Sequence, residues 1–189
     1  MEIIAGKAGG IRLDAPRGMD VRPTAVRARK SLFDSLGSLA GLSVADLFAG
    51  SGSLGLEAAS RGAAEAVFID DSIASLTCIG ANCAKVTKAG IECNFNVVKG
   101  PLPDAISRAL HLPKPDIIFA DPPYAESAVL LSGLLESKAF LSWAENALLI
   151  WEMPDHGLAL EGIPAPWRIK TMRQFGPARF LLIEQAPAQ

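Results

Sequence analysis

From Ser43 onward the chain alternates short apolar runs with longer mixed segments, the pattern of strands alternating with helices. The runs predict strands near residues 44–48, 65–70, 95–99, 115–120, 146–152, 167–174 and 178–184, with helices filling most of the intervals. Phe175-Gly176-Pro177 separates the last two runs and is a turn signal, so these strands form an antiparallel hairpin closing a mainly parallel sheet. Upstream, residues 2–14 predict a short hairpin. A helix follows to about Leu36, with Thr24 as its cap and Val26, Leu32, Phe33 and Leu36 facing the core. There is no internal repeat or low-complexity tract. The expected fold is α/β: a mainly parallel seven-stranded sheet with helices on both faces, an antiparallel last strand, and a small N-terminal hairpin and basic helix. On this reading residues 1–40 are an extension packed on a domain spanning 41–186, and only residues from about 187 onward are loose.

Asp121-Pro122-Pro123-Tyr124 follows the run Ile117-Ile118-Phe119-Ala120 directly. The carboxyl end of a strand is where open α/β sheets bind ligands. Each proline fixes its own φ and lacks an N–H, and Pro123 drives Pro122 towards an extended conformation, so the local carbonyls are held stiffly. An Asp carboxylate beside a fixed carbonyl can accept both hydrogens of an exocyclic amine, and the Tyr ring offers a face for a planar base. The plain structural reading is a Pro-Pro turn with Tyr124 packing beside it.

Composition narrows the class. The chain has 189 residues, half of them hydrophobic, which suits one globular domain with a sizeable core. No apolar stretch has the length of a membrane span, and the first residues lack a signal-like pattern, so a soluble cytoplasmic protein is expected. Cys78, Cys83 and Cys93 form no C-x-x-C pair and read as free thiols. His111 and His156 are far apart and are assigned to structure or surface, which leaves no expected metal site. A net charge of −2 excludes a generic polynucleotide binder, so any such contact is local. The candidate is the basic stretch Arg22, Thr24, Arg27, Arg29 and Lys30, with Arg12 upstream; its plain reading is a solvated helix face.

A second motif follows the first parallel strand: Asp46-Leu47-Phe48-Ala49-Gly50-Ser51-Gly52-Ser53-Leu54-Gly55, leading into a helix. It contains G-x-G-x-x-G between strand and helix, a nucleotide-type cradle in which glycine lets backbone approach a ligand. Asp70, followed by Asp71, ends the next strand twenty residues beyond Gly50, the spacing of a ribose-binding acid. A nicotinamide cofactor would suit this loop as well. Two details favour S-adenosylmethionine: Asp46 precedes the glycines, where it suits an amino-acid ammonium better than a pyrophosphate, and the tetrapeptide at 121–124 suits transfer to an amine.

These motifs together resemble the RsmD-like bacterial 16S ribosomal RNA guanine-N2 methyltransferases. The likeness includes Ile3-Ile4-Ala5-Gly6 with Gly10-Ile11-Arg12-Leu13, Arg22-Pro23-Thr24 with Arg27, Arg29, Leu32 and Phe33, Asp46 to Ala63, and Asp121 to Tyr124. The resemblance implies a class I methyltransferase domain and S-adenosylmethionine held by Asp46, Phe48, Ala49, Gly50, Ser51, Gly52, Gly55, Asp70, Asp71 and Asp121. It implies a guanine handled by Asp121, Pro122, Pro123 and Tyr124. RNA would be gripped by Arg12, Arg22, Thr24, Arg27, Arg29 and Lys30. The implied partner is 16S ribosomal RNA, within the small ribosomal subunit or an assembly intermediate. Two residues depart from the pattern. Pro101 stands where relatives offer an Asp or Asn to adenine, leaving backbone groups or Asp104 for that task, and Lys30 stands where a Glu is usual. The competing readings are a DNA adenine-N6 or cytosine-N4 methyltransferase, a glutamine methyltransferase, or a non-catalytic RNA-binding assembly factor.

Overall fold

The computed structural model describes residues 1–16, 23–153 and 162–187, with 23–25 described by backbone alone. Seven strands form: β1 (Ser43–Leu47), β2 (Glu65–Asp70), β3 (Asn94–Lys99), β4 (Ile117–Ala120), β5 (Leu148–Met153), β6 (Trp167–Phe175) and β7 (Ala178–Gln185). Between them run α1 (Pro23–Leu36), α2 (Ser53–Ser60), α3 (Ile73–Lys88), α4 (Ile106–Ala109), a 3-10 turn (Tyr124–Glu126), α5 (Ser127–Glu136) and α6 (Lys138–Trp143). They make one sheet of order β3-β2-β1-β4-β5-β7-β6. β1 to β5 pair in parallel and β7 runs antiparallel to both β5 and β6.

The expected strands are present within two residues at either end. β4 starts later than its apolar run implied because Pro115 has no N–H to give a ladder. Asp116 turns its carboxylate to the Ser43 N–H instead, at 2.8 Å. The β6–β7 hairpin turns over Gly176 and Pro177, with Phe175 opposite Ala178 and Gly176 at φ 62°. Residues 1–13 form the expected hairpin-like start: Glu2 bridges Arg12, and the Ile3 and Gly10 N–H groups bond the Ile11 and Ile3 carbonyls. Thr24 is not the cap of α1. Pro23 opens that helix, where a missing N–H is harmless, and Thr24 lies within the first turn. Arg22 and His156 lie outside the described residues.

Alternation along the strands sends side chains to two cores. On one face Val44, Phe68, Phe119, Ile150 and Phe180 meet Phe33 of α1, Leu56 of α2 and Ile79 of α3. On the other Ala45, Val67, Ile118 and Trp151 meet the α4–α6 side, with Leu131 and Phe140. β1 is buried throughout, as the central strand of a doubly covered sheet must be. The N-terminal segment contributes Ile3, Ala8 and Leu13 to the first core.

That segment is fastened by polar groups as well. Glu57 of α2, fully buried, accepts the Ile4 N–H at 2.6 Å and the Ala5 N–H at 3.2 Å, and it takes a third bond from Arg61 at 2.8 Å. Arg61 reaches on to Asp34 of α1 at 2.9 Å and lies over the Phe33 ring. Gly6, at φ 82°, passes so close to α2 that a β-carbon there would sit 2.0 Å from the Ser60 carbonyl oxygen.

Candidate active site

The strand order reverses between β1 and β4, each the other's neighbour, with Leu47 level with Ala120. Loops leaving their carboxyl ends in opposite senses open a crevice. It is a cleft of about 640 Å³ whose lining includes Phe48, Gly50, Asp70, Asp71, Gly100, Pro101, Leu102 and the whole stretch Asp121 to Tyr124. The glycine loop and the tetrapeptide, some seventy residues apart in sequence, thus face one space.

Within the glycine loop the tasks are divided. Gly50, at φ 54°, lines the cleft, and its N–H donates to Asp70 Oδ2 at 2.8 Å. Asp70 Oδ1 accepts the Ser72 N–H at 2.9 Å. Each oxygen keeps accepting capacity, because a carboxylate offers about four lone-pair positions. Ala49, Ser51, Gly52 and Gly55 do not line the cleft. Gly52, at φ 76°, caps α2, and Gly55 packs against the sheet: a β-carbon at 55 would stand 2.4 Å from the Phe68 ring. The motif is therefore one ligand-facing glycine and two that let α2 approach β2. Phe48 adopts φ 57°, a conformation costly for a residue with a β-carbon, and its ring meets Trp151 edge-on at 5.9 Å.

Asp46 is buried beneath this loop, and its carboxylate accepts the Gly55 N–H at 2.9 Å at the start of α2. Burial pushes its pKa up to about 8, with Asp121 and Asp70 adding repulsion, while the bonds from Gly55 and Leu54 pull the other way. Asp46 does not itself line the cleft, and a cation reaching it would draw the carboxyl towards its ionised form. Asp121 is open to solvent inside the cleft, yet the surrounding protein desolvates it and raises its pKa to about 6.

The loop after β3 divides in the same way. Gly100, Pro101 and Leu102 line the cleft and Asp104 does not. The Gly100 N–H is already donated to the Asp70 carbonyl, at 3.0 Å.

Tyr124 does more than offer a ring. Its hydroxyl donates to Oε1 of Glu152, 3.3 Å away near the end of β5. Sequence reasoning passed over Glu152, although the signal that marked Asp70 and Asp121, an acid at the carboxyl end of a parallel strand, applies to it as well. It also passed over Glu57, and over Asn82 of α3. Fully buried, Asn82 holds the Ser51 carbonyl at 2.9 Å and brackets Asp14 through its N–H at 2.8 Å and its carbonyl at 3.0 Å.

The basic stretch divides too. Arg27 and Lys30 are exposed on α1, and Arg12 belongs to the N-terminal hairpin. Arg29 is only 8% exposed, with its guanidinium turned inward to the Glu2 carbonyl at 2.6 Å and the Met1 sulfur at 3.1 Å. Burial lowers its pKa, and Glu57, Asp46 and Glu2 oppose that shift. Arg29 therefore ties α1 to the N-terminus and is not presented to a polynucleotide.

A parallel sheet reversing beside a glycine loop, ended by β7 running antiparallel between β5 and β6, with an acid after β2 and a D-P-P-Y turn after β4, defines a class I methyltransferase. Known proteins agree. The family model described as "Conserved hypothetical protein 95" matches residues 1–184. The Escherichia coli (strain K12) ribosomal RNA small subunit methyltransferase D is 32% identical over 98% of this chain and 90% of its own length. Among solved structures, the Escherichia coli protein yhhF is 30% identical, with a TM-score of 0.71 over 98% of this chain and 97% of its own. A hypothetical Thermus protein, TTHA0928, is 29% identical, with a TM-score of 0.72 over 97% and 99%. The chain belongs to the ribosomal RNA small subunit methyltransferase D family.

Proposed function

We propose that this protein transfers a methyl group from S-adenosylmethionine to the exocyclic N2 of a guanine in 16S ribosomal RNA. The observation that carries this reading is the shared cleft, lined both by a ribose-type acid with a glycine turn and by an amine-acceptor turn. The residues present suit the cofactor. Asp70 has acceptor capacity for ribose hydroxyls, Gly50 admits close backbone approach, Gly100 to Leu102 form an apolar slot for adenine, and an ammonium reaching Asp46 would draw its carboxyl towards the ionised form. When bound, S-adenosylmethionine supplies an electrophilic methyl on a sulfonium.

The chain's own residues then do three things. The N2 lone pair of guanine is delocalised into the ring and is a poor nucleophile. Asp121 and the Pro122 carbonyl accept its two hydrogens, which become more acidic as the nitrogen turns tetrahedral, so these acceptors bind the transition state better than the ground state. The stiff Pro122-Pro123 backbone holds that geometry, and fixing two reactants in this way contributes roughly 7–11 kcal/mol, enough that a strong base is not needed. Asp121 accepts the departing proton or directs it to water. The target base must be unpaired or flipped to reach the cleft, with the Tyr124 ring beside it. On α1, Arg27 and Lys30 contact the RNA backbone.

The test incubates the protein and its Asp121→Ala variant with labelled S-adenosylmethionine and unmodified small ribosomal subunits, and maps the product by mass spectrometry. The expected product is one N2-methylguanine. Asp121→Ala should abolish transfer while calorimetric S-adenosylmethionine affinity stays within a few-fold. Methylation of a different base, or equal loss of transfer and binding, overturns the reading.

A further inference from the structure

Asp121 is not the only acid at the carboxyl edge beside the tetrapeptide. β4 and β5 are parallel neighbours with Ala120 level with Trp151, so Asp121, which lines the cleft, and Glu152, which meets the cleft through the Tyr124 hydroxyl, follow at the same edge. Alternation gives them the same face: Phe119 and Ile150 belong to the core under α1, while Ala120 and Trp151 belong to the opposite one. Paired strands lie about 4.8 Å apart, which is the separation of the two chains where they reach this edge at Ala120 and Trp151. The turn after Asp121 leads back to this neighbour, since the Tyr124 hydroxyl donates to Glu152 Oε1.

Guanine makes use of such a pair. Its Watson–Crick edge carries two adjacent donors, the N2 amine and the N1–H, where adenine has an acceptor at N1. Two carboxylates on adjacent strands match two adjacent donors. Building on the guanine-N2 reading above, we infer that Glu152 is a specificity-determining residue that accepts the guanine N1–H while Asp121 and Pro122 hold N2, with Tyr124 keeping the Glu152 carboxylate in place. A carboxylate offers about four acceptor positions, so a bond from Tyr124 and one from a base can coexist on it. An adenine presented in the same pose would set its N1 lone pair against this carboxylate and leave a desolvated acceptor without a donor, which is how a polar site rejects a near-isostere. The shared D-P-P-Y turn would then handle any conjugated amine, and the acid on the next strand would select the base.

The test is a swap of hydrogen-bond polarity. Glu152→Gln is isosteric, and its amide can donate to a ring nitrogen. 2-Aminopurine keeps the N2 amine but has an acceptor at N1. Methyl transfer is measured for wild type, Glu152→Gln and Tyr124→Phe on target RNA carrying either guanine or 2-aminopurine at the modified position. The expected result is that Glu152→Gln loses roughly 10- to 100-fold in kcat/KM on guanine. The same variant should gain on 2-aminopurine relative to wild type, while Tyr124→Phe, which keeps the carboxylate but frees its position, should lose rate on guanine without gaining on 2-aminopurine. An equal fall on both bases with Glu152→Gln means that Glu152 only supports Tyr124, and overturns the inference. If wild type methylates another amine and Glu152→Gln leaves that product unchanged, the guanine reading fails as well, and the product's mass distinguishes the two failures.

Discussion

In the proposed role Asp121 faces opposed demands: its ionised form is the stronger acceptor for the hydrogens of an amine, and the desolvation that strengthens those bonds also favours its protonation. Its pKa of about 6 puts it between these limits. The acceptor is lost as pH falls through that value, so kcat/KM should rise with pH between about 5 and 7 and level off above. Replacement by Asn should remove this limb together with most of the activity. Rates measured from pH 5 to 8 under subsaturating RNA check both; an unchanged limb in Asp121→Asn would assign the titration elsewhere. The same scale shows how unequal neighbouring residues in one motif can be. Gly50 faces the cleft while Gly55, in the same G-x-G-x-x-G, meets the Phe68 ring, and Arg27 faces solvent while Arg29 is buried two residues later. A motif read as a string assigns one role to all its letters, whereas the turn it folds into sends successive side chains to different surroundings.

Among the elements, α2 does the most joining. Its N-terminus receives Asp46, its first turn lies against β2, and its buried Glu57 holds the N-terminal segment through two backbone N–H groups. Removing that carboxylate strands two N–H groups and takes one of the two acid partners of the Arg61 guanidinium, which in buried settings costs about 3–5 kcal/mol. Glu57→Ala should therefore lower unfolding stability by about 3 kcal/mol, read by chemical denaturation, and should speed hydrogen exchange first at Ile4 and Ala5. Loss of stability without faster exchange at those two amides would mean the clamp is not what fastens the segment. Nothing in the local sequence marks Glu57, since it sits in a helix of small residues. Only the segment laid across it, 52 and 53 positions away, supplies its partners.

Across the whole molecule, a net charge of −2 leaves the proposed RNA contact to a local patch. α1 presents Arg27 and Lys30 outward while Arg29 anchors it from within. Charge reversal should separate the two kinds of arginine. Arg27→Glu should weaken RNA binding several-fold, with S-adenosylmethionine affinity and stability unchanged. Arg29→Glu should instead cost stability by about 3 kcal/mol or more, because it would bury a carboxylate beside Glu2 and within the field of Glu57 and Asp46. Filter binding and thermal melts of the two variants decide it, and a stable Arg29→Glu that merely lost RNA would return Arg29 to the surface.

The sequence by itself determined the alternating strands and helices, the terminal hairpin, the two ligand-facing motifs and the family, because periodicity, turn residues and short motifs are local properties written in consecutive letters. It could not determine which side chain of a motif faces the cleft, nor that Thr24 lies inside the helix it was expected to cap. Nor could it bring Tyr124 to Glu152 or supply partners for Glu57, Asn82 and Arg29. Those depend on which strands become neighbours and in what register, and on how closely a distant segment approaches. Burial and electrostatic field are set by residues far apart in the chain, so only the tertiary structure decided them.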